Sequence, residues 1–97
     1  MKSLGNTIRK LREEQGQPLR TVAAHLDIDQ AILSKIEHGH RKPSREQVLK
    51  LAKYFKINSS DLIVTWLSDK LVCELEDEED ALKALKLTEK KIKNFLK

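Results

Sequence analysis

The sequence contains few of the residues that interrupt helices or shape tight turns. Glycine occurs three times, proline twice, and aromatic residues make up only 4% of the 97 residues. This scarcity argues against a β-sandwich, which needs many turns, and a hydrophobic content of 39% argues against a disordered chain. Because about 100 residues suffice for one hydrophobic core, the composition predicts a single all-helical globular domain.

Cysteine and long apolar runs are also nearly absent. Cys73 is the only cysteine, so no disulfide can form within the chain, which fits a reducing cytoplasm. We expect Cys73 to pack as a small apolar residue, with redox sensing as the alternative. The first residues lack the apolar core and cleavage site of a secretory signal. No apolar stretch approaches the roughly 20 residues that span a bilayer, so we expect no membrane partner.

Positive charge is concentrated in the first part of the chain. Residues 1–58 contain 12 Lys and Arg against 6 Asp and Glu, whereas residues 59–97 contain 7 and 9. A polyanionic partner would therefore dock on the first 58 residues. Many charged helical domains carry a similar excess without such a partner, so charge alone does not identify one.

Apolar residues recur at helical spacing along the chain, with turn residues between the runs. Gly16 and Gly39 are typical helix stops, whereas Asp29 and Ser44 are typical N-caps. Thr88 is expected to be the N-cap of the last helix. The predicted helices span residues 4–15, 19–26, 30–38, 45–55, 60–75, 81–86 and 89–95.

The stretch from residue 19 to residue 36 contains the most informative pattern. Two helices joined by a short turn pack closely only if their facing positions are apolar and one of them is very small. Ala23 falls where the helix axes come closest, and Asp27 falls in the turn, where it tolerates a left-handed backbone better than most residues. The other positions that face the core are Val22, Leu26, Ile28, Leu33 and Ile36.

The segment VAAHLDIDQAILSKIEHGHRKPS, residues 22–44, resembles the helix-turn-helix domains of phage repressors, Cro proteins and xenobiotic-response-element regulators. The resemblance covers about residues 4–62. It implies an all-α fold, a five-helix repressor-like DNA-binding bundle with a short helical C-terminal extension. We expect a helix-turn-helix DNA-binding unit over residues 1–58, with the fifth helix starting near residue 60, and a helical dimerisation extension over residues 59–97. The chain departs from the family pattern at Asp27, where glycine is usual, and at Pro18-Leu19, where Ser or Thr followed by Gln is usual.

The resemblance implies that the third helix lies in the major groove of DNA. Gln30 can then bond adenine, Ala31 can contact a thymine methyl, and Lys35 can donate to guanine. The alternative for Gln30 and Lys35 is a solvated surface position. The expected base-reading residues are Gln30, Ala31, Ser34 and Lys35. Phosphate contacts, which carry no sequence code, are expected from Arg20, His40, Arg41 and Lys42.

Other polar residues have structural interpretations. Glu37 could read a base, but the resemblance implies an ion pair with Arg12. The three histidines do not have the spacing of a zinc site, so we expect no metal and no cofactor. The sequence has no glycine-rich phosphate loop and no nucleophile motif, so we expect no enzymatic activity.

The fifth predicted helix is apolar on more than one side, which is wider than packing on one face requires. We expect one side, with Leu62 and Trp66, to cover the bundle, and the other to contact a second subunit. The expected dimer contacts are Ile63, Leu67, Leu71 and Val72. The acidic residues 76–80 are expected to be a solvated linker, and the lysine-rich end an amphipathic packing helix.

These features together favour a sequence-specific transcriptional regulator, of the repressor or restriction-modification controller type. It would bind double-stranded DNA at a palindromic operator as a homodimer, in the cytoplasm and associated with the nucleoid. The alternative is an antitoxin or other protein-binding module whose C-terminal segment binds a partner protein. A neighbouring toxin gene would favour the antitoxin, and a neighbouring methyltransferase gene would favour the controller.

Overall fold

The computed structural model describes residues 3–96, and the chain in this range forms six helices and no strand. The prediction of an all-α bundle is confirmed. None of the helices described is long and apolar enough to cross a membrane. The helices are α1 (Leu4–Glu14), α2 (Leu19–His25), α3 (Gln30–Glu37), α4 (Arg45–Phe55), α5 (Ser59–Leu75) and α6 (Ala81–Phe95).

Local polar contacts explain where several helices begin. The Ser44 hydroxyl accepts a hydrogen bond from the Gln47 backbone N–H, and the Gln47 side chain accepts one from the Ser44 N–H, which completes a capping box. Asn58 caps α5 in a similar way. Asp29 occupies the N-cap position of α3 as predicted, but its side chain makes no capping hydrogen bond.

Left-handed residues end the helices or turn the chain between them. Gly16 and Gly39 have φ angles of 63° and 80°, as expected for helix stops. Asp27 has a φ of 58° in the turn between α2 and α3. A residue with a Cβ atom pays about 1–2 kcal/mol for this conformation, so the turn keeps its shape at the cost of some strain.

The hydrophobic core lies among α1 to α4 and is closed by the first half of α5. Leu62 and Trp66 on α5 are buried in it, which confirms the prediction that one face of this helix covers the bundle. The other core residues are Leu4, Ile8, Val22, Ala23, Leu26, Leu33, Ile36, Val48, Leu51, Ala52 and Phe55. Every apolar position predicted for the α2–α3 motif is therefore in this core or, in the case of Ile28, packed against it.

Gly5 permits a close approach that the sequence analysis did not anticipate. A Cβ atom at this position would lie 2.5 Å from the backbone oxygens of both Ile36 and Glu37. The first turn of α1 therefore rests directly on the carboxyl end of α3, and no side chain fits between them. This contact fixes the end of α3 relative to the rest of the bundle.

We expect the substitution Gly5→Ala to destabilise the protein by about 1–3 kcal/mol, because the added methyl group must push backbone atoms apart. Urea denaturation followed by circular dichroism measures the loss. The neighbouring exposed substitution Asn6→Ala is the control, and it should leave stability almost unchanged. Equal stability of the Gly5→Ala variant and the wild type would show that the two helices are not in such close contact.

The C-terminal segment differs from its prediction. Instead of two short helices over residues 81–86 and 89–95, α6 is one continuous helix from Ala81 to Phe95. The predicted N-cap, Thr88, lies inside this helix, and its hydroxyl donates to the backbone oxygen of Ala84 one turn earlier. Within a helix, this bond is an alternative to capping for a threonine hydroxyl. No described residue of α6 is buried.

Candidate nucleic-acid interface

The connection between α2 and α3 is a compact turn over residues 26–29. The backbone oxygen of Ala23 accepts hydrogen bonds from the N–H groups of both Leu26 and Ile28, at 3.1 Å each. The N–H of Asp27 donates to the oxygen of Ala24 at 3.0 Å. These bonds use the free carbonyls at the end of α2. Ala23 itself is buried, so α2 and α3 meet at this small side chain.

Helix α3 has one buried face and one free face. Leu33 and Ile36 are in the core, and the side chains of Gln30, Ala31 and Lys35 are exposed. The fourth predicted base-reading residue, Ser34, is less accessible, because its side chain is half-buried. The face of α3 that carries Gln30, Ala31 and Lys35 is therefore accessible, whereas the opposite face is held by the bundle.

The end of α3 is tied to α1 by a buried ion pair. Arg12 donates from Nε to Oε2 of Glu37 at 2.8 Å, and from Nη2 to Oε1 at 3.1 Å. Its Nη1 donates to the backbone oxygen of Gln17 at 3.2 Å. The side chain of Glu37 is only 2% exposed, so it is not available to read a base. The hydrogen bond to Glu37 raises the pKa of Arg12 above its ordinary value, despite the opposing effect of burial.

The predicted phosphate contacts lie at two places. Arg20 is exposed in the first turn of α2, and His40, Arg41 and Lys42 are exposed in the loop between α3 and α4. This loop is anchored at its start, where the N–H of His40 donates to the backbone oxygen of Lys35 at 2.8 Å. This hydrogen bond connects the start of the loop directly to the backbone of α3.

The comparison with known families agrees with this geometry. Residues 8–62 match the sequence profile described as Helix-turn-helix, and they include α2, the turn and α3. The chain belongs to the helix-turn-helix family of the Cro and C1 type. It is therefore a DNA-binding regulator of transcription.

Two solved structures of one regulator have a similar fold. Both are of the clp gene regulator ClgR from Corynebacterium glutamicum. One is 23% identical with a TM-score of 0.57, and the match covers 68% of this chain and 86% of that chain. The other is 21% identical with a TM-score of 0.59, and it covers 88% of each chain. No curated protein sequence matches this chain.

Trp66 braces the helix-turn-helix unit from the side of α5, and sequence reasoning did not identify this role. Its indole Nε1 donates to the backbone oxygen of Pro43 at 2.9 Å, which anchors the end of the loop that contains Arg41 and Lys42. Lys70 places its ammonium group 3.5 Å from the centre of the Trp66 ring. The only signal in the sequence was that a buried tryptophan needs a partner for its N–H.

Asp69 links α5 to the start of α1. Its Oδ2 accepts a hydrogen bond from the backbone N–H of Leu4 at 2.8 Å, across 65 positions of sequence. This N–H is one of the free donors in the first turn of α1, so a carboxylate from another helix satisfies it. Together with Trp66, Asp69 makes α5 a structural support for the helix-turn-helix unit.

The histidines of this helix-turn-helix chain are dispersed. His25 lies beside Tyr54 with ring centres 4.6 Å apart, and the rings of His38 and His40 are 6.3 Å apart. Across residues 3–96, no three or more His, Cys, Asp or Glu side chains gather into a group that could hold a metal ion.

The second half of α5 carries the residues predicted to form a dimer contact. Leu67, Leu71 and Val72 are 40–46% exposed, whereas Ile63 is half-buried and packs partly against the core. Cys73 is exposed, so the expectation that it packs as a small apolar residue is wrong within a single chain. In this helix-turn-helix protein, most of the exposed large apolar side chains lie on α5 and α6, outside the DNA-binding unit.

Proposed function

We propose that this protein binds a palindromic DNA operator sequence-specifically as a homodimer, and that it regulates transcription as a repressor or restriction-modification controller. The observation that carries the proposal is the asymmetry of α3. The face with Gln30, Ala31 and Lys35 is exposed, while the core and the ion pair of Arg12 with Glu37 hold the helix from the other side. A helix anchored in this way can enter the major groove without losing its orientation.

The exposed residues of α3 have the chemistry needed to distinguish base pairs. Gln30 presents an amide that can bond N6 and N7 of adenine, and Lys35 presents an ammonium group for O6 and N7 of guanine. Ala31 offers a methyl group that suits the methyl of thymine. We assign a smaller role in base reading to Ser34, because its side chain is half-buried, whereas those of Gln30, Ala31 and Lys35 are exposed.

The basic residues beside α3 would position the protein on the duplex. Arg20 at the start of α2 and the loop residues Arg41 and Lys42 can neutralise phosphates, and His40 can add a hydrogen bond. Phosphate contacts do not depend on the DNA sequence, and the affinity that they supply falls steeply as the salt concentration rises. They would fix the register in which Gln30 meets a base.

The proposed homodimer follows from the exposed face of α5. A protein–protein contact buries apolar side chains, and Leu67, Leu71 and Val72 are exposed without a partner in one chain. A twofold axis would present two copies of α3 about 34–36 Å apart, which is one turn of DNA. The operator would then be palindromic, and the regulator would act in the cytoplasm, where the chromosome is.

Separate substitutions should distinguish base reading from phosphate binding. We expect Gln30→Ala to weaken binding to the preferred operator by about 1–3 kcal/mol and to relax the preference at one position of each half-site. Lys42→Ala should weaken binding to all duplexes alike and reduce the slope of log affinity against log salt by about one unit.

Fluorescence anisotropy with a selected operator and its single-base variants measures both effects. Lys53→Ala removes an exposed lysine from α4 without touching the proposed interface, so it should change neither quantity. A Gln30→Ala variant that loses affinity uniformly for all duplexes, as Lys42→Ala does, would contradict the assignment of base reading to α3.

A protein-binding role is the second candidate, because α6 exposes large apolar side chains such as Leu82 and Phe95. An antitoxin would use this segment to cover part of a toxin. Co-expression with a toxin encoded by a neighbouring gene tests this: a stable complex that forms through residues 81–95 supports the antitoxin, and its absence favours the regulator alone.

A further inference from the structure

Helix α6 is amphipathic, but among residues 3–96 no part of its own chain covers most of its apolar face. Ala81 and Leu85 are half-buried, whereas Ile92, Phe95 and Leu96 are exposed, Phe95 to 82%. At 100° per residue these five positions fall on one side of the helix. An apolar stripe of this length in water is a surface that another molecule should cover.

A groove between α5 and α6 adjoins this stripe. Its cavity volume is about 380 Å³, and its walls are apolar side chains of both helices, with acidic residues at its rim. The residues that line it are Ser68, Leu71, Val72, Leu75, Glu76, Glu78, Ala81 and Leu85. A cavity of this size can take a few large apolar side chains, such as those at the end of α6.

The apolar stripe of α6 is nearly symmetric about its centre. Leu85 and Ile92 lie at almost equal distances on either side of Thr88, and Ala81 and Phe95 lie at equal distances further out. A second copy of the helix, turned end to end, therefore presents its apolar residues at the same positions along the helix axis. This is the pattern required for a twofold contact in which one surface meets itself.

The groove favours the same orientation. In an antiparallel pair centred on Thr88, Ile92 and Phe95 of one α6 lie opposite positions 84 and 81 of the other, beside the groove that Ala81 and Leu85 line. In a parallel pair each residue would face its own counterpart, so Ile92 and Phe95 would lie away from the groove. Four lysines of α6 fall on the side opposite the apolar stripe and stay outside the contact, namely Lys83, Lys86, Lys90 and Lys93.

We propose that α6 pairs antiparallel with α6 of a second copy of this chain, centred near Thr88. Ile92, Phe95 and Leu96 of each copy then fill the groove between α5 and α6 of the other. This inference rests on the proposed homodimer and adds to it a second contact surface with a defined direction. The paired helices continue the apolar face of α5 into one interface, which links the two DNA-binding units.

Cysteine crosslinking tests the pairing. In a Cys73→Ser background, Thr88→Cys places a thiol near the proposed twofold axis, where packed helices are about 8–10 Å apart. Lys90→Cys is the matched control, because two residues further along the helix its side chain faces away. With a short bismaleimide at micromolar protein, we expect about tenfold more covalent dimer from Thr88→Cys than from Lys90→Cys.

Sedimentation measures whether the protein is a dimer, and operator binding measures whether it is a regulator, independently of how α6 packs. If both cysteine variants crosslink equally, or neither does, while sedimentation still shows a dimer that binds the operator, the α6 pairing is wrong and the regulator stands. Ile92→Asp should shift the protein towards monomer while circular dichroism of the bundle is unchanged. An unshifted dimer, or α6 occupied by a different protein, also overturns the pairing.

Discussion

Replacing Arg12 by alanine should lower the free energy of unfolding by about 3–5 kcal/mol, because it leaves the carboxylate of Glu37 buried without its partner. The loss should be large because Glu37 is almost completely enclosed and Arg12 supplies both of its charge-assisted hydrogen bonds. A domain of this size has a total stability of about 5–15 kcal/mol, so the variant would be close to unfolding at physiological temperature.

Two further variants identify the cause of this loss. Arg12→Lys keeps the charge but cannot form the two-pronged contact, so it should lose less stability than Arg12→Ala. The double variant Arg12→Ala/Glu37→Ala removes both charges and should be more stable than Arg12→Ala alone. Urea denaturation at one fixed protein concentration measures all of them, since dimer stability depends on concentration. Additive losses would show that the two side chains are not coupled.

Placing a charge at Leu67 should separate the proposed dimer into monomers and weaken operator binding by about 10²–10⁴-fold. In a dimer the second half-site is bound at a high effective concentration, and a monomer loses this advantage. Leu67→Asp would bury a carboxylate in an apolar contact, which is costly without a partner. Sedimentation velocity measures the mass of the species, and anisotropy measures the loss of affinity.

The control for Leu67→Asp is Ser60→Asp, which adds the same charge in the first turn of α5. We expect this variant to remain dimeric and to bind the operator almost normally, because a carboxylate near a helix N-terminus is tolerated. If Leu67→Asp also remained dimeric with full affinity, the face of α5 would not be a subunit contact.

Local rules of sequence were sufficient to predict the bundle as far as α5. Gly16 and Gly39 end helices because they accept a positive φ, and Ser44 starts one because it pairs with Gln47 in a capping box. The α2–α3 motif was equally clear, since a small residue at Ala23 and apolar residues at fixed distances admit few other arrangements. These features depend on residues only a few positions apart, so a single sequence is enough to predict them.

Contacts between distant positions could not be predicted in the same way. Gly5 appeared as an ordinary helix residue, because only the packed structure shows that the backbone of α3 lies against it. The bond from Leu4 to Asp69 joins residues 65 positions apart in the sequence, and nothing near either residue indicates it. Long-range contacts of this kind depend on how the helices pack, which local periodicity does not specify.

The error at α6 has a different origin. Leu87 lies directly before Thr88 and Ile92 lies four residues after it, a spacing that is typical of a helix start, so the sequence predicts a break there. In the structure the helix continues, and the threonine hydroxyl bonds to Ala84 in the previous turn. A threonine side chain supports both arrangements locally. Here the continuous helix keeps the apolar stripe from Ala81 to Phe95 unbroken.

If the exposed face of α3 enters the major groove of a two-part operator, methylation interference detects the contact. Dimethyl sulfate marks N7 of guanine in the major groove and N3 of adenine in the minor groove. We expect methylation at guanine N7 to block binding in two clusters about 10 base pairs apart, and Lys35→Ala to remove the effect at one guanine of each half-site. Interference confined to adenine N3, or absent from both grooves, would contradict the entry of α3 into the major groove.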